Sequence, residues 1–347
     1  MTTLWFALVA LMIAGYVIFD GFDIGCGILH LFLGKTNNER RMLLRTIGPV
    51  WDGNEVWLIA GGGTLFFAFP SVYAASFSGF YLPLNMVLWL LISRAIGIEF
   101  RMHLDNQVWR DFFDGLFSIA SMLLAIFFGA ALGNVIRGVP LNADQTFFEP
   151  LWTNWRPGAN PGILDWYTVL AALVAFVSLS IHGATYIITK TEGELNARAR
   201  KAAMILWPVL AVLTALSLMA TIHVRPTVLD NYRRYPVSFA IPAVVAGSLI
   251  FMYLSLRKHR ERAAFISSCL YLAVMLVGAA FGLYPVMLPA STNPAYSLTV
   301  ANAATGSYAL SIGIVWWVIG MLFAAGYFAF IYRMFRGKVA GGSEHGY

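Results

Sequence analysis

The sequence predicts an all-α integral membrane protein of nine helices, N-terminus outside and C-terminus cytoplasmic. Composition, run length and the placement of Lys and Arg carry that prediction. Of 347 residues, 59% are hydrophobic and 12% charged, against about 45–50% and about 25% in soluble domains. At a mean hydropathy of +0.71, one or two soluble domains would lack the polar groups to cover their surface. A soluble enzyme, a nucleic-acid-binding module and a disordered tail protein are therefore excluded. Only Cys26 and Cys269 occur, both in apolar runs, which excludes a disulfide framework and gives no zinc spacing.

A bilayer core of about 30 Å needs roughly 20 apolar residues per helix. Such runs fall at about 4–33, 50–70, 76–101, 112–137, 163–190, 202–222, 238–257, 263–285 and 308–333. None alternates with the period of barrel strands, so helices satisfy the backbone. The first run is not a signal peptide, because no Lys or Arg precedes it and it continues into charged residues.

With span ends numbered alternately, seventeen of the 23 Lys and Arg lie in connections on one side. Five lie on the other (Arg137, Arg156, Arg225, Arg233, Arg234), and Arg94 lies inside a span. Basic loops stay cytoplasmic, which sets the orientation. The outer loops hold Trp152, Trp155, Trp166, Tyr232, Tyr235 and Tyr296, aromatic residues suited to an interface.

No Gly/Ser linker precedes the last few residues, so 1–347 reads as one membrane domain. GAALGNVIRGVP (129–140) and GAAFGLYPVMLP (278–289) share Gly, Ala, Ala, Gly and a closing Pro, in the fourth and eighth spans. The echo fits a parallel repeat, 1–140 and 163–290, with 308–333 as an extra helix. It equally fits small-residue pairs that let helices approach in any bundle. Residues 102–114 (MHLDNQVWRDFFD) alternate charged and aromatic side chains and predict an interfacial anchor.

Charges inside spans are costly, about 2.5–3.5 kcal/mol each on insertion scales. Asp20 and Asp23 stand in the first span, Asp52 and Glu55 open the second, and Arg94 and Glu99 end the third. Each acidic pair is spaced i, i+3 and shares a helix face. At about 1.5 Å per residue, Asp20 lies about 24 Å from its outer end, and Asp52 and Glu55 within about 8 Å of their inner end. Topology thus gathers five carboxylates and one arginine at one cytoplasmic depth.

Two readings follow. Structurally, Arg94 neutralises carboxylates, and Asp52 caps a helix that Pro49 opens. Functionally, carboxylates buried together repel, favour a proton on one of them, and form a proton route. Physics alone does not separate that route from a sodium or substrate site.

Other candidates are weaker. His30 and His182 lie inside spans, but haem ligation needs partners facing each other at one depth, and a satisfied buried histidine is commoner. His103, His223, His259 and His345 fall in loops or at ends, and the 13 Met read as packing. Gly61, Gly62 and Gly63 sit within a membrane span, so they do not read as a phosphate loop.

FDGFDIGCGIL (19–29), the stretch 37–81 with GPVWDGNEVW and FSGFY, ISRAIGIEFR (92–101), GNVIRGVP (133–140), HGATYIITKTEGEL (182–195) and YPVMLPAS (284–291) together resemble subunit II of the bd-type quinol oxidases. The resemblance covers most of the chain and implies two four-helix bundles plus one helix. It implies a haem-free chain paired with a haem-carrying subunit I, which holds two b-type haems, one d-type haem and the quinol-oxidising loop. The complex so implied oxidises quinol outside and reduces oxygen with cytoplasmic protons, which is electrogenic. By the same analogy Asp52 belongs to the proton route with Trp51 beside it, and Asp20, Asp23, Glu55 and Glu99 occupy family positions. No catalytic or metal-ligating residue is expected in this chain. Lipid, quinone and a small accessory subunit are further expected partners in a bacterial cytoplasmic membrane; nucleic acid is not. One departure is the connection 223–237, short beside some members.

The competing reading is a proton-coupled secondary transporter. The echo, the inner charge cluster and Pro83, Pro208 and Pro242 favour it. A transporter needs a polar site near the midplane, whereas the strong polar groups here lie in the inner half.

Overall fold

The computed structural model describes residues 1–339; the tail 340–347, with the Gly/Ser stretch and His345, lies outside the described residues. The chain runs α1 (Thr2–Leu33), α2 (Asn37–Ile47), α3 (Trp51–Ala68), α4 (Pro70–Gly79), α5 (Tyr81–Phe100), α6 (Gln107–Arg137), α7 (Trp166–Lys190), α8 (Gly193–Val224), α9 (Leu229–Arg234), α10 (Ala240–Arg257), α11 (Glu261–Leu283) and α12 (Ser307–Met334). A two-stranded antiparallel ribbon, β1 (Val286–Leu288) and β2 (Leu298–Thr299), follows α11.

Among the described residues, eight helices are long and apolar enough to cross a membrane. α3 is not one of them: it has 18 residues, and Asp52, Asn54 and Glu55 occupy its start. It nonetheless runs antiparallel along α1, from the Asn54–Asp23 hydrogen bond at one end to the Trp5–Phe67 ring contact at the other.

Three expected boundaries move. The run 76–101 is two helices, because the chain breaks at Phe80 between α4 and α5. The expected anchor 102–114 divides: Asn106 caps α6 by accepting from the Trp109 amide, so 107–114 belong to α6. The first basic connection contains α2, started by a capping box between Thr36 and Glu39. Pro83 and Pro242 fall in first helical turns, where the missing N–H costs nothing; only Pro208 stands inside a helix.

α1 and α7 cross at the centre. A Cβ on Gly25 would lie 2.1 Å from the Leu179 carbonyl and 2.7 Å from Gly183 Cα, so glycine lets the backbones touch. Around them, α1 packs on α3 and α6 while α7 packs on α8 and α11; α5 packs on α6 as α10 packs on α11. The two quartets share one order of neighbours, and the echoed segments meet where Val139 N donates to the Pro289 carbonyl and Ser291 N to that of Val139. One apolar cluster fills the centre and the basic end. A second closes the opposite end around Trp5, Phe69, Val139 and Leu298.

Candidate functional site

Arg94 of α5 is fully buried and lies between α1 and α3. Its Nη1 donates to Asp20 Oδ1 at 2.6 Å, and its Nη2 lies 3.2 Å from Glu55 Oε2. One turn along α1, Asp23 Oδ2 accepts from the Asn54 amide at 2.7 Å, and Asn54 Oδ1 accepts from the Tyr332 hydroxyl of α12 at 2.8 Å. Asp20, Asp23, Asn54 and Arg94 have no exposed surface. Asp20 Oδ2, Asp23 Oδ1, Arg94 Nε and the Tyr16 hydroxyl are buried without a hydrogen-bond partner. The node therefore keeps open oxygens on both aspartates. Buried polar atoms without protein partners are uncommon, and carboxylate oxygens left open in this way are able to accept a proton.

Four of the expected carboxylates, Asp20, Asp23, Glu55 and the exposed Asp52, thus stand at the start of α3 and beside it, but only three join the node. Asp52 is exposed. Three residues fall about 60° short of a full helical turn, so Glu55 turns toward Arg94 while Asp52 faces outward in the first turn. That turn is capped by no side chain; Val50 is the N-cap residue, so Asp52 does not cap it. Trp51 beside it is buried. Glu99 lies half-buried at the end of α5, and its carbonyl accepts from His103. Asn54, Tyr16 and Tyr332 escaped the sequence reading, since a lone amide or phenol in an apolar run carries no spacing signal.

A second node lies nearer the basic end. His30 Nε2 is 2.5 Å from Asp114 Oδ1. Arg101 grips the same carboxylate through Nε at 2.5 Å and Nη2 at 3.0 Å, and Arg40 reaches it at 3.2 Å. Arg40 also bonds the exposed Asp111 at 2.9 Å. His182 spends both ring nitrogens, on Ser268 Oγ at 2.8 Å and the Ile18 carbonyl at 2.9 Å. The two histidines of the spans are thus held by separate neighbours.

A third node lies at the opposite end. Arg137 closes α6 and donates to the carbonyls of Gly138 and Gly162, to Asn134 Oδ1, to Asp165 at 2.5 Å, and to Glu149. Asp165 also caps α7 by accepting from the Tyr167 and Thr168 amides. Glu149 sits in the loop between α6 and α7, where burial pushes its carboxyl up to about 7, against the pull of Arg137.

Over residues 1–335 the sequence matches the family described as cytochrome bd terminal oxidase subunit II. It is 33% identical over 345 residues to the cytochrome bd-I ubiquinol oxidase subunit 2 of Escherichia coli (strain K12), covering 92% of this chain and 89% of that one. Against the cytochrome bd ubiquinol oxidase subunit 2 of Bacillus subtilis (strain 168) it is 31% identical over 337 residues, covering 97% and 96%. The fold is similar to a chain in the structure of bd oxidase from Geobacillus thermodenitrificans, with a TM-score of 0.75 at 18% identity, covering 96% of this chain and 98% of that one.

Proposed function

Since the chain belongs to the cytochrome bd terminal oxidase subunit II family, and so is a subunit of a quinol oxidase, we propose that it is the haem-free subunit that delivers cytoplasmic protons for oxygen reduction. Its partner is the haem-carrying subunit I, with two b-type haems and one d-type haem, and quinol is the electron donor. The observation that carries the reading is the buried Arg94 node, where two aspartates keep one open oxygen each.

α3 is read as the ninth crossing, because it runs beside α1 from Asp23 to Trp5. This count leaves the five basic connections on one side, taken as cytoplasmic, in a bacterial cytoplasmic membrane. Several tie together there: Arg198 pairs with Glu39, and Lys338 reaches Glu261 at 3.0 Å. Shared neighbour order and the Val139–Pro289 contact support a parallel repeat plus one helix, α12.

In this reading Asp52 takes protons at the mouth, one helical turn from Glu55. Glu55 and Arg94 lead inward to Asp20, and Asn54 holds Asp23 in line behind them. Arg94 offsets one of the carboxylate charges of the node while a proton is absent. When a proton binds at Asp20, Arg94 retains Glu55 as its counter-ion, so the guanidinium is never left alone in the membrane. Trp51 covers the inner side of the mouth, and Glu99 adds negative charge at the same end. The haems supply electron transfer and oxygen binding in the partner, and no ligand set for them is built from His30 and His182. The transporter reading is not favoured, since the family match runs nearly the full chain.

A reduced-minus-oxidised visible spectrum tests the haem assignment, on the tagged chain purified from its native membrane and again expressed alone. The expected result is b- and d-type bands with a larger partner in the first preparation and no haem in the second. Haem bands from the lone chain would overturn the assignment.

A further inference from the structure

The hairpin of α10 and α11 takes no part in the route through α3. Its outward side carries a groove of about 450 Å³. Ala240, Ala243, Gly247 and Phe251 of α10 form one wall, and Ser267 and Leu270 of α11 the other. The α10 residues recur at spacings of three and four, so they share one helix face. Phe251 and Leu270 are exposed, which turns the groove toward the hydrocarbon of the bilayer. Its two hydroxyls are satisfied within their own helices: Ser248 donates to the Val245 carbonyl at 2.7 Å and Ser267 to that of Ala263 at 2.6 Å. The groove is therefore apolar. A Cβ on Gly247 would meet nothing within 4 Å, so the glycine leaves that wall open.

The same hairpin turns through a compact basic tip. His259 holds a φ of 56°, and the Arg260 amide donates to the Ser255 carbonyl at 2.9 Å, the bond of a Schellman turn. Arg257, Lys258, Arg260 and Arg262 are all exposed on this turn. Glu261 is the acid among them, and Arg200 at 3.4 Å and Lys338 at 3.0 Å already hold it. Among the described residues the four cations of the tip form no ion pair. α11 starts beside them without a side-chain cap, so its first-turn amides add partial positive charge at the same place.

Groove and tip lie on one line. Lys258 stands two helical turns beyond Phe251, on the face that walls the groove. The rise between them is about 10 Å, and the headgroup layer on each side of a bilayer is about 5–8 Å thick. An acyl chain that enters the hydrocarbon below an anion at the tip therefore meets the groove at its near end.

We propose that the α10–α11 hairpin binds an anionic phospholipid, with the phosphate at the basic tip and one acyl chain in the groove. Charge complementarity selects this occupant. A partner's apolar helix would fill the groove and leave the four cations unmatched. A zwitterionic lipid has the acyl chain, but its own cation opposes the tip. Each Lys or Arg near an anionic headgroup strengthens binding about fivefold. The site goes beyond the proton route and does not depend on it.

The test uses the assembled two-subunit complex, stripped of lipid in detergent and titrated with dioleoylphosphatidylglycerol or dioleoylphosphatidylcholine. Native mass spectrometry reads the lipid bound per complex. The wild type is expected to prefer phosphatidylglycerol, and excess inorganic phosphate, which has no acyl chain, should not displace it. Lys258→Gln with Arg260→Gln should weaken the preference about fivefold for each charge removed. Gly247→Leu, whose added Cβ meets no neighbour in this chain, should assemble normally and lose affinity for both lipids. Equal binding of the two lipids by the wild type, or unchanged phosphatidylglycerol binding in both variants, would overturn the site. Loss of the partner subunit from a folded Gly247→Leu chain would also overturn it, by giving the groove to a partner's helix. If the double variant fails to assemble, Lys258→Gln alone decides by the same ratio.

Discussion

Arg94 and Arg137 each face two carboxylates in buried surroundings, yet they are finished differently. Arg137 bonds two carbonyls, an amide and both carboxylates, and only Glu149 Oε2 is left open around it. Around Arg94, one short bond to Asp20 is complete, while Nε, Asp20 Oδ2 and Asp23 Oδ1 are open. An ion cluster with all but one polar atom bonded fixes architecture, because its valences are spent on protein. An open one holds places where water and protons bind. The difference suits Arg137 to docking the α6–α7 loop and underlies the proposal that Arg94 belongs to a proton route.

The sharpest way to break this contrast is to remove each arginine. Arg137→Ala leaves Glu149 and Asp165 buried without their cation, a loss of about 3–5 kcal/mol for such pairs. No assembled complex is expected in membranes, scored by haem bands. Arg94→Ala is expected to lower the yield of assembled complex less, because half-buried Glu55 and the open oxygens are served by water. Equal yields for the two variants would end the distinction.

A smaller effect is expected at Asp52, which lies outside the Arg94 node. Asp52→Asn should assemble with normal haem content and thermal stability, but reduce oxygen more slowly. Normal turnover with stable protein would take Asp52 out of the route.

The smallest effect concerns pH at the Arg137 end. Glu149 titrates at about 7 in the fold against 4.5 ordinarily, so the folded state holds more protons than the unfolded between those values. Its contribution to stability is therefore present below about 4.5 and is lost as pH rises to about 7. Glu149→Gln should flatten that part of the profile of thermal midpoint against pH. An unchanged slope would show that Glu149 titrates normally.

Much of this was legible in the sequence. Hydrophobic runs located the long helices, because a bilayer imposes their length. The cost of charge in a span singled out Asp20, Asp23, Glu55 and Arg94, and the structure joins Asp20 and Glu55 to Arg94. Asp52 was misplaced in the cluster because depth along a helix says nothing of the 60° or so of rotation that separates it from Glu55. Asn54, Tyr16 and Tyr332 were invisible, since a neutral polar residue in an apolar run is costly only in the light of its neighbours. The short α2 and the break at Phe80 were missed because capping and chain direction are local, while run length averages over twenty residues.

The measurement that bears most directly on the proton route is oxygen reduction by the assembled Asp20→Asn complex in proteoliposomes, with proton uptake recorded per haem. Arg94 keeps Glu55 as its counter-ion in this variant, so assembly and haem content should be retained. A proton route through Asp20 predicts slowed turnover with proton uptake slowed in step. Wild-type turnover and uptake in a fully assembled Asp20→Asn complex would contradict it.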